Sequence, residues 1–475
     1  MKRSLCWLRR DLRLHDNHAL SEALTAAEQC FIVFIFDEII LDKIANKNDL
    51  RLSLIFDSLR EIELELKKHG SDLIVLFGDP VIEIPKIILE YKIDALFFNR
   101  DYEPYAKQRD HEVVKILQTK HVNSFAFKDS VFYESREILN GSGEIYKVFT
   151  PYKNKWLEKF RSEEEYIPDH KTIFSKLAQF TFTKSLVDYD WYQTIGFLET
   201  TCCIKGGTKE AHKKLKLFDQ YISNYNLARD VPSLDETSGL SPYIRFGNIS
   251  IREMVRFSLK KNSLGNQTWL SELIWRDFYQ MILDAYPQVE KNCFRPEYDQ
   301  IKWLGSQSDF NSWCDGLTGY PLVDSAMRCL NATGLMHNRL RMVVASFLTK
   351  TLLIDWRQGE NYFATRLLDY DLAANNGGWQ WSASTGVDAQ PYFRIFNPYN
   401  QSRKFDPKGI FIRQWCPELK DFNDKEIHAP HETEIDEQTM AGCFIGQDYP
   451  HPIVAYREQR DRALKMYKSI LKPHQ

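Results

Sequence analysis

No run of apolar residues in this 475-residue chain approaches the roughly 20 needed to cross a bilayer as a helix; the longest is Phe31-Ile-Val-Phe-Ile-Phe36. The stretch from Met1 to Arg10 has no apolar core of signal-peptide length. A cytoplasmic protein without a membrane partner is expected. Nine cysteines, an odd number whose only close pair is Cys202 and Cys203, fit neither a disulfide framework nor a zinc spacing. That excludes a stapled secreted domain and gives no metal ligand set. Excess charge is missing too: the formal net charge is -3, so contact with a polyanion must come from a local basic patch. Repeats and low-complexity tracts are also lacking, which excludes solenoids and disordered arrays.

What remains is an ordinary globular composition, 43% hydrophobic and 27% charged, in a chain about three times the length of a typical domain. Two or three folding units are expected. Aromatic residues make up 13%, a rich supply of flat polarizable surfaces, most of them destined for the core.

From residue 3 to about 128, short apolar runs alternate with longer amphipathic ones. Strands are expected at Ser4 to Leu8, Cys30 to Phe36, Asp72 to Phe77, Ala95 to Asn99 and Asn123 to Phe127. Helices are expected at Leu50 to His69, Val81 to Tyr91 and Tyr105 to Thr119. This alternation predicts an N-terminal doubly wound parallel α/β (Rossmann-like) domain over 1–128. It lacks the Gly-x-Gly-x-x-Gly fingerprint of nicotinamide enzymes. Residues 129–200 form an interdomain connector containing Gly141-Ser-Gly143 and the basic residues Lys147, Lys153, Lys155 and Lys159; part of it should wrap the surface as short helices. Over 201–475 helical periodicity dominates, predicting an all-helical second domain.

Chemically unusual residues crowd into that second half. In Trp269-Leu-Ser-Glu-Leu-Ile-Trp-Arg-Asp-Phe-Tyr279, a helix would place Trp269, Glu272, Trp275, Arg276 and Tyr279 within an arc of roughly 120°. On this segment alone, a core stripe with Glu272 and Arg276 as an i, i+4 ion pair explains the pattern equally well. Thr333-Gly-Leu-Met-His-Asn-Arg-Leu-Arg-Met342 brings Asn338, Arg341 and Met342 to one side of a helix, with Arg339 a step around. Guanidinium and amide groups suit phosphates and heterocycle edges, although an exposed structural helix accounts for them nearly as well. Leu368-Asp-Tyr-Asp-Leu-Ala-Ala-Asn-Asn-Gly-Gly-Trp-Gln-Trp-Ser-Ala-Ser384 is harder to assign to packing. Its carboxylates and amides can bind ring nitrogens and hydroxyls, its glycines let a ligand approach the backbone, and Trp381 offers a stacking face. Thr237-Ser-Gly-Leu-Ser241 supplies hydroxyls suited to phosphate oxygens, as it would suit an ordinary helix cap.

Taken together, these stretches resemble the photolyase/cryptochrome family, and within it the class I branch acting on cyclobutane pyrimidine dimers. Trp7-Leu-Arg-Arg-Asp-Leu-Arg-Leu-His-Asp-Asn17 resembles the family's opening motif. Trp269 to Tyr279, Thr333 to Met342, Ala373 to Thr385 and Tyr392-Phe-Arg-Ile-Phe-Asn-Pro398 resemble its flavin and lesion region. The resemblance implies light-driven DNA repair: FAD bound in the helical domain donates an electron to a dimer flipped out of UV-damaged DNA. By it, Tyr225, Thr237, Ser238, Gly239, Leu240 and Ser241 hold the phosphates and nearby groups. Trp269, Glu272, Arg276, Asn338, Arg341, Asp369, Asp371 and Asn375 line the rest, with Asn375 at the flavin N5 edge. The dimer is contacted by Glu272, Trp275, Asn338, Met342 and Trp381, and the DNA backbone by Arg229, Arg339 and Arg394. Glu272 hydrogen-bonds the developing radical anion if its pKa is raised enough for it to be protonated. Trp379, Trp356 and Trp303 match the family's electron-carrying chain; core packing is what their positions alone would indicate.

Two departures qualify the match, and two further positions bear on its branch and antenna. Leu335 stands where the family commonly has Trp, and Tyr370 separates two aspartates where some relatives have Gly. Asn338 follows His337 where the (6-4) branch has a second histidine, favouring cyclobutane dimers. Folate-binding relatives have an Asn-Glu pair where this chain has Tyr105 and Ala106, although Lys291 matches their interdomain lysine. The antenna chromophore is thus open between methenyltetrahydrofolate and a deazaflavin. A monomer with no obligate protein partner is expected. The alternative is a cryptochrome-type blue-light receptor without repair activity; such receptors often carry a long C-terminal extension, whereas this chain ends soon after the helical segment Tyr456 to Leu471.

Overall fold

Strands covered on both faces read as near-continuous apolar runs; in the computed structural model, which describes residues 1–471, such runs join a more polar, half-exposed edge strand in one sheet of five strands. They are β1 (Arg3–Leu8), β2 (Gln29–Asp37), β3 (Leu73–Gly78), β4 (Ala95–Asn99) and β5 (Asn123–Phe127), all parallel, in the order β3-β2-β1-β4-β5. Each lies within a residue of its expected bounds. Helices His18–Ala26, Leu50–Lys68, Pro80–Glu90 and Pro104–Thr119 connect them. The side chains of Asn17, Asp49 and Asp79 cap three of these helices by accepting backbone N–H groups of the first turn.

The strand order reverses between β1 and β4, and polar residues gather just beyond their carboxyl ends. Arg10 pairs with Glu103 at 2.6 Å and Asp101 at 3.2 Å, and Arg109 with Asp37 at 3.1 Å. The Tyr105 hydroxyl donates to Asp37 at 2.9 Å, and Ala106 is buried.

The chain divides into two compact units: Met1–Ser223 with Ser238–Pro287, and Asn224–Thr237 with everything from Gln288 onward. Division by element type, at 128 and 200, and division by compactness cut the chain differently. In the first unit the connector is less of a surface wrap than its lysines imply. Its residues Phe149–Ser162 form a single helix that buries Phe149, Tyr152, Trp156 and Phe160, spaced three and four apart, against the helix Leu264–Ala285. Asp277 of the latter accepts the backbone N–H groups of Phe132 and Tyr133 and the Trp156 indole N–H at 3.1–3.2 Å. Burial holds this carboxyl up at about 6.

The second unit is helical. Pro321–Thr333, Asn338–Lys350, Trp356–Arg366 and Leu372–Ala383 surround a core that includes Trp313, Met327, Leu340, Val344, Leu348, Phe363 and Trp379. The helix Tyr456–Leu471 closes onto it through Tyr467, whose hydroxyl donates to the Ala383 carbonyl at 2.6 Å. Among the described residues no sheet strand follows β5, and no helix is long and apolar enough to cross a membrane.

Candidate functional site

The expected site residues fall in both units. The first holds Ser238 to Ser241 and the Trp269 to Arg276 face; the second holds Tyr225, Arg229, Thr237 and everything from Trp303 to Arg394.

In the first unit, Ser263 caps the helix Leu264–Ala285, and its apolar positions face the core. Trp269 is buried between Phe218 and Phe257, at ring separations of 5.3 and 5.7 Å. Glu272, Trp275, Arg276 and Tyr279 are instead half-buried. The arc read from the sequence therefore separates into one core ring and four accessible groups. Trp275 is clamped: Phe149 stacks flat on one face of its indole, 3.7 Å away and 9° from parallel, and Tyr279 lies at 5.4 Å. Arg276 donates to the Ser130 carbonyl.

The Ser238–Ser241 turn needs Gly239 in the left-handed region, at φ +60°. Leu240 is its buried anchor, and the Ser238 hydroxyl accepts the Leu240 N–H at 3.4 Å. A Cβ added at Gly239 would lie 3.9 Å from the Lys214 ammonium. Lys214 thus brings a cation to a turn of hydroxyls. In the sequence it is one lysine of a Lys213-Lys-Leu-Lys216 run and carries no signal.

The second unit brings together four of the expected polar residues. Arg341 donates to both oxygens of the buried Asp369 carboxylate at 2.8 and 3.0 Å, and through Nε to the Met336 carbonyl at 2.9 Å. Asp371 caps Leu372–Ala383 by accepting the Ala374 N–H at 3.1 Å. One turn on, the Asn375 amide donates to the Glu360 carboxyl at 2.9 Å and to its backbone carbonyl at 3.1 Å. Gly378 follows on the same helical face, and a Cβ there would meet no atom within 4 Å.

His337 is the N-cap of Asn338–Lys350: its Nδ1 accepts the Arg339 N–H at 3.2 Å. Burial depresses this imidazole to about 4, so it is neutral with its proton on Nε2, a buried atom without a hydrogen-bond partner. Sequence reasoning gave His337 no role. Asn338 is exposed, and Arg339, Arg341 and Met342 half-buried. Arg339 pairs with Asp230 at 2.9 Å and lies 4.3 Å over the Phe405 ring, while Arg229 lies 5.6 Å over Tyr225. Trp381 is half-buried and Arg394 exposed.

Trp379 and Trp356 are buried in the same core, and half-buried Trp303 packs against it. The Trp379 ring contacts Phe363 at 5.0 Å and Trp313 at 6.0 Å; Trp303 meets Tyr467 edge-on at 6.5 Å. Gly359, one turn after Trp356, lets its helix come against Trp379, and a Cβ there would collide with that indole and with Leu348. For Gly359→Ala, overpacking of about 3 kcal/mol against a helix-propensity gain of about 1 kcal/mol leaves about 2 kcal/mol of destabilisation. Thermal melts of the two proteins check this.

Burial raises the Glu360 carboxyl to about 7; the Asn375 amide works against the rise and the Glu290 charge adds to it. The folded chain holds this proton more tightly than the unfolded one. The stabilisation is therefore complete below the ordinary carboxylate pKa and lost as pH rises through 7. Melts from about pH 5 to about pH 8 should show stability falling more in wild type than in Glu360→Gln, whose side chain does not titrate. Equal slopes would exclude the shift.

In the second unit a planar polar heterocycle suits these groups: the neutral His337 donor lacks an acceptor, and the Gly378 position is open beside Asn375. In the first, the Ser238–Ser241 turn has the Lys214 ammonium near Gly239.

A family model described as "DNA photolyase" matches residues 4–171, and one described as "FAD binding domain of DNA photolyase" matches 269–469. The chain belongs to the DNA photolyase family. Similar photolyases include the deoxyribodipyrimidine photo-lyase of Escherichia coli, 38% identical over 99% of this chain and 100% of that one. That of Alkalihalophilus pseudofirmus is 37% identical over 97% of both. Among solved structures, a class III photolyase from Agrobacterium tumefaciens superposes with a TM-score of 0.91 at 31% identity, covering 100% of this chain and 98% of that one. The photolyase FAD-binding match includes Trp269 to Arg276 and all the expected site residues from Trp303 to Arg394. Lys214, Tyr225, Arg229 and Thr237 to Ser241 lie between the two matched segments.

Proposed function

We propose that this chain repairs cyclobutane pyrimidine dimers in UV-damaged DNA, using blue light and bound FAD. The carrying observation is the end-to-end alignment with the deoxyribodipyrimidine photo-lyase of Escherichia coli, which leaves no part of that relative unmatched. Reduced FAD, when bound, supplies the electron on absorbing light.

The protein's own residues do the rest. Ser238, Gly239, Ser241 and Lys214, with Tyr225 and Thr237, hold the diphosphate side by hydroxyl donors and one ammonium. Arg341, Asp369, Asp371 and Asn375 present hydrogen-bonding groups to the ring and ribityl edges, and Trp269 adds an apolar wall. A lesion cannot reach a buried cofactor inside the duplex. Photolyases are a known example of enzymes that extrude their target, and a dimer that stacks and pairs poorly lowers that cost. Trp275 and Trp381 offer the extruded dimer aromatic faces, with Met342 and Asn338 beside it. In its protonated form Glu272 donates a hydrogen bond to the dimer carbonyl as charge develops. Two carbon–carbon bonds break, and the electron then returns, so no net oxidation results. Arg229, Arg339 and Arg394 meet phosphates, where charge-assisted bonds position the strand without reading sequence. Trp303, Trp356 and Trp379 pass electrons inward when the flavin is oxidised.

The test uses purified protein and an oligonucleotide carrying one thymine dimer. Yellow, flavin-loaded protein that restores the thymines in blue light and not in the dark supports repair. Flavin-loaded protein with no conversion under light would reject it in favour of a light receptor.

A further inference from the structure

Lys350 has no place in the repair scheme, yet it is among the least expected side chains in the second unit. It ends the helix Asn338–Lys350 and is fully buried, at 0% exposure. Its ammonium donates to the Ser384 hydroxyl at 2.7 Å and to the Arg394 carbonyl at 3.3 Å, both neutral acceptors. Removing an ammonium from water is costly, and a methionine of similar length would fill the space without that cost. Burial alone depresses the amine to about 7.

The two acceptors show what the amine connects. Ser384 is the left-handed cap, at φ +63°, of the helix that carries Trp379 and Trp381. A cation is favoured there, because the carboxyl end of a helix is partially negative. Arg394 lies in a turn closed by its own N–H donating to the Pro391 carbonyl at 2.9 Å. On one side of that turn Tyr392 stacks on Tyr467 at 5.8 Å; on the other the Arg394 side chain is exposed.

We propose that Lys350 is a positioning residue for DNA binding: it ties the cap of the Trp381 helix to the Arg394 backbone, so that the Arg394 guanidinium meets a phosphate in fixed register with the lesion-stacking ring. This rests on the repair function proposed above. Binding and chemistry separate here, since neither Lys350 nor Ser384 is among the residues assigned to the dimer or the flavin.

Lys350→Met, Arg394→Ala and the double variant test it, with melting temperature, flavin absorbance, affinity for the dimer oligonucleotide and conversion rate at saturating oligonucleotide as readouts. Lys350→Met should melt at or above the wild-type temperature, keep its flavin and convert at the wild-type rate when saturated. It should bind the oligonucleotide about tenfold more weakly, the equivalent of about 1.4 kcal/mol. In the Arg394→Ala background the same substitution should change affinity by less than about twofold, because its effect runs through that arginine. Ser384→Gly keeps the positive φ, removes one acceptor and should weaken binding in the same direction, so the idea can be tested even if Lys350→Met does not fold. Unchanged affinity in both single variants, or fully additive losses in the double variant, would overturn the proposal. Wild-type protein that neither prefers nor converts the dimer would instead remove the repair function itself.

Discussion

Trp275→Ala is expected to weaken binding of a dimer-containing oligonucleotide about 10- to 100-fold while the flavin stays bound. Stacking of a base on an aromatic side chain is worth about 1–3 kcal/mol per base. Phe149 already covers one face of this indole at 3.7 Å and fixes its plane. Only the remaining surface can take a lesion, and alanine removes it. Trp275→Phe should recover part of the affinity. Glu272→Ala should act differently, slowing conversion at saturation, because the hydrogen bond proposed for its protonated carboxyl would strengthen only as charge appears on the dimer. Anisotropy titrations with dimer-containing and undamaged oligonucleotides, alongside flavin absorbance and saturated conversion rates, separate the two effects. Unchanged values in both variants would remove these residues from the lesion contacts.

Arg341→Ala is expected to cost about 3–5 kcal/mol of stability and to release the flavin, because it strands a buried carboxylate. Asp369 is 8% exposed and receives both of its charged hydrogen bonds from Arg341 Nη2. Asp369→Asn, which removes the charge and keeps the shape, should cost less. Adding Asp369→Asn to Arg341→Ala should therefore restore stability, which an independent pair of side chains would not do. Denaturant melts with and without added FAD measure both components. A fully stable, flavin-loaded Arg341→Ala protein would show that the pair supports neither the fold nor the cofactor.

Much of the fold is legible because the α/β half obeys local rules. β2 is buried at every position but its first, so its apolar run is continuous and bounded by Gln29 and Asp37. The connector misleads because its lysines and its Gly-Ser-Gly segment dominate composition, while the signal that decides its structure is the spacing of Phe149, Tyr152, Trp156 and Phe160. Asp369, Asp371 and Asn375 stand out because so many polar groups within one short segment have no packing purpose. Phe149 behind Trp275, Lys214 beside Gly239, Glu360 on Asn375 and Lys350 on Arg394 do not stand out. Each is a meeting of segments distant in the chain, and periodicity records only which way a residue faces on its own helix.

The most direct measurement is an action spectrum: the rate of dimer conversion by the purified, reduced protein as a function of excitation wavelength at constant photon flux. Light-driven electron donation from the bound flavin predicts a rate that follows the absorption of the protein's own chromophore and vanishes where it does not absorb. Conversion in darkness, at a rate indifferent to wavelength, or not at all in flavin-loaded protein, would contradict it.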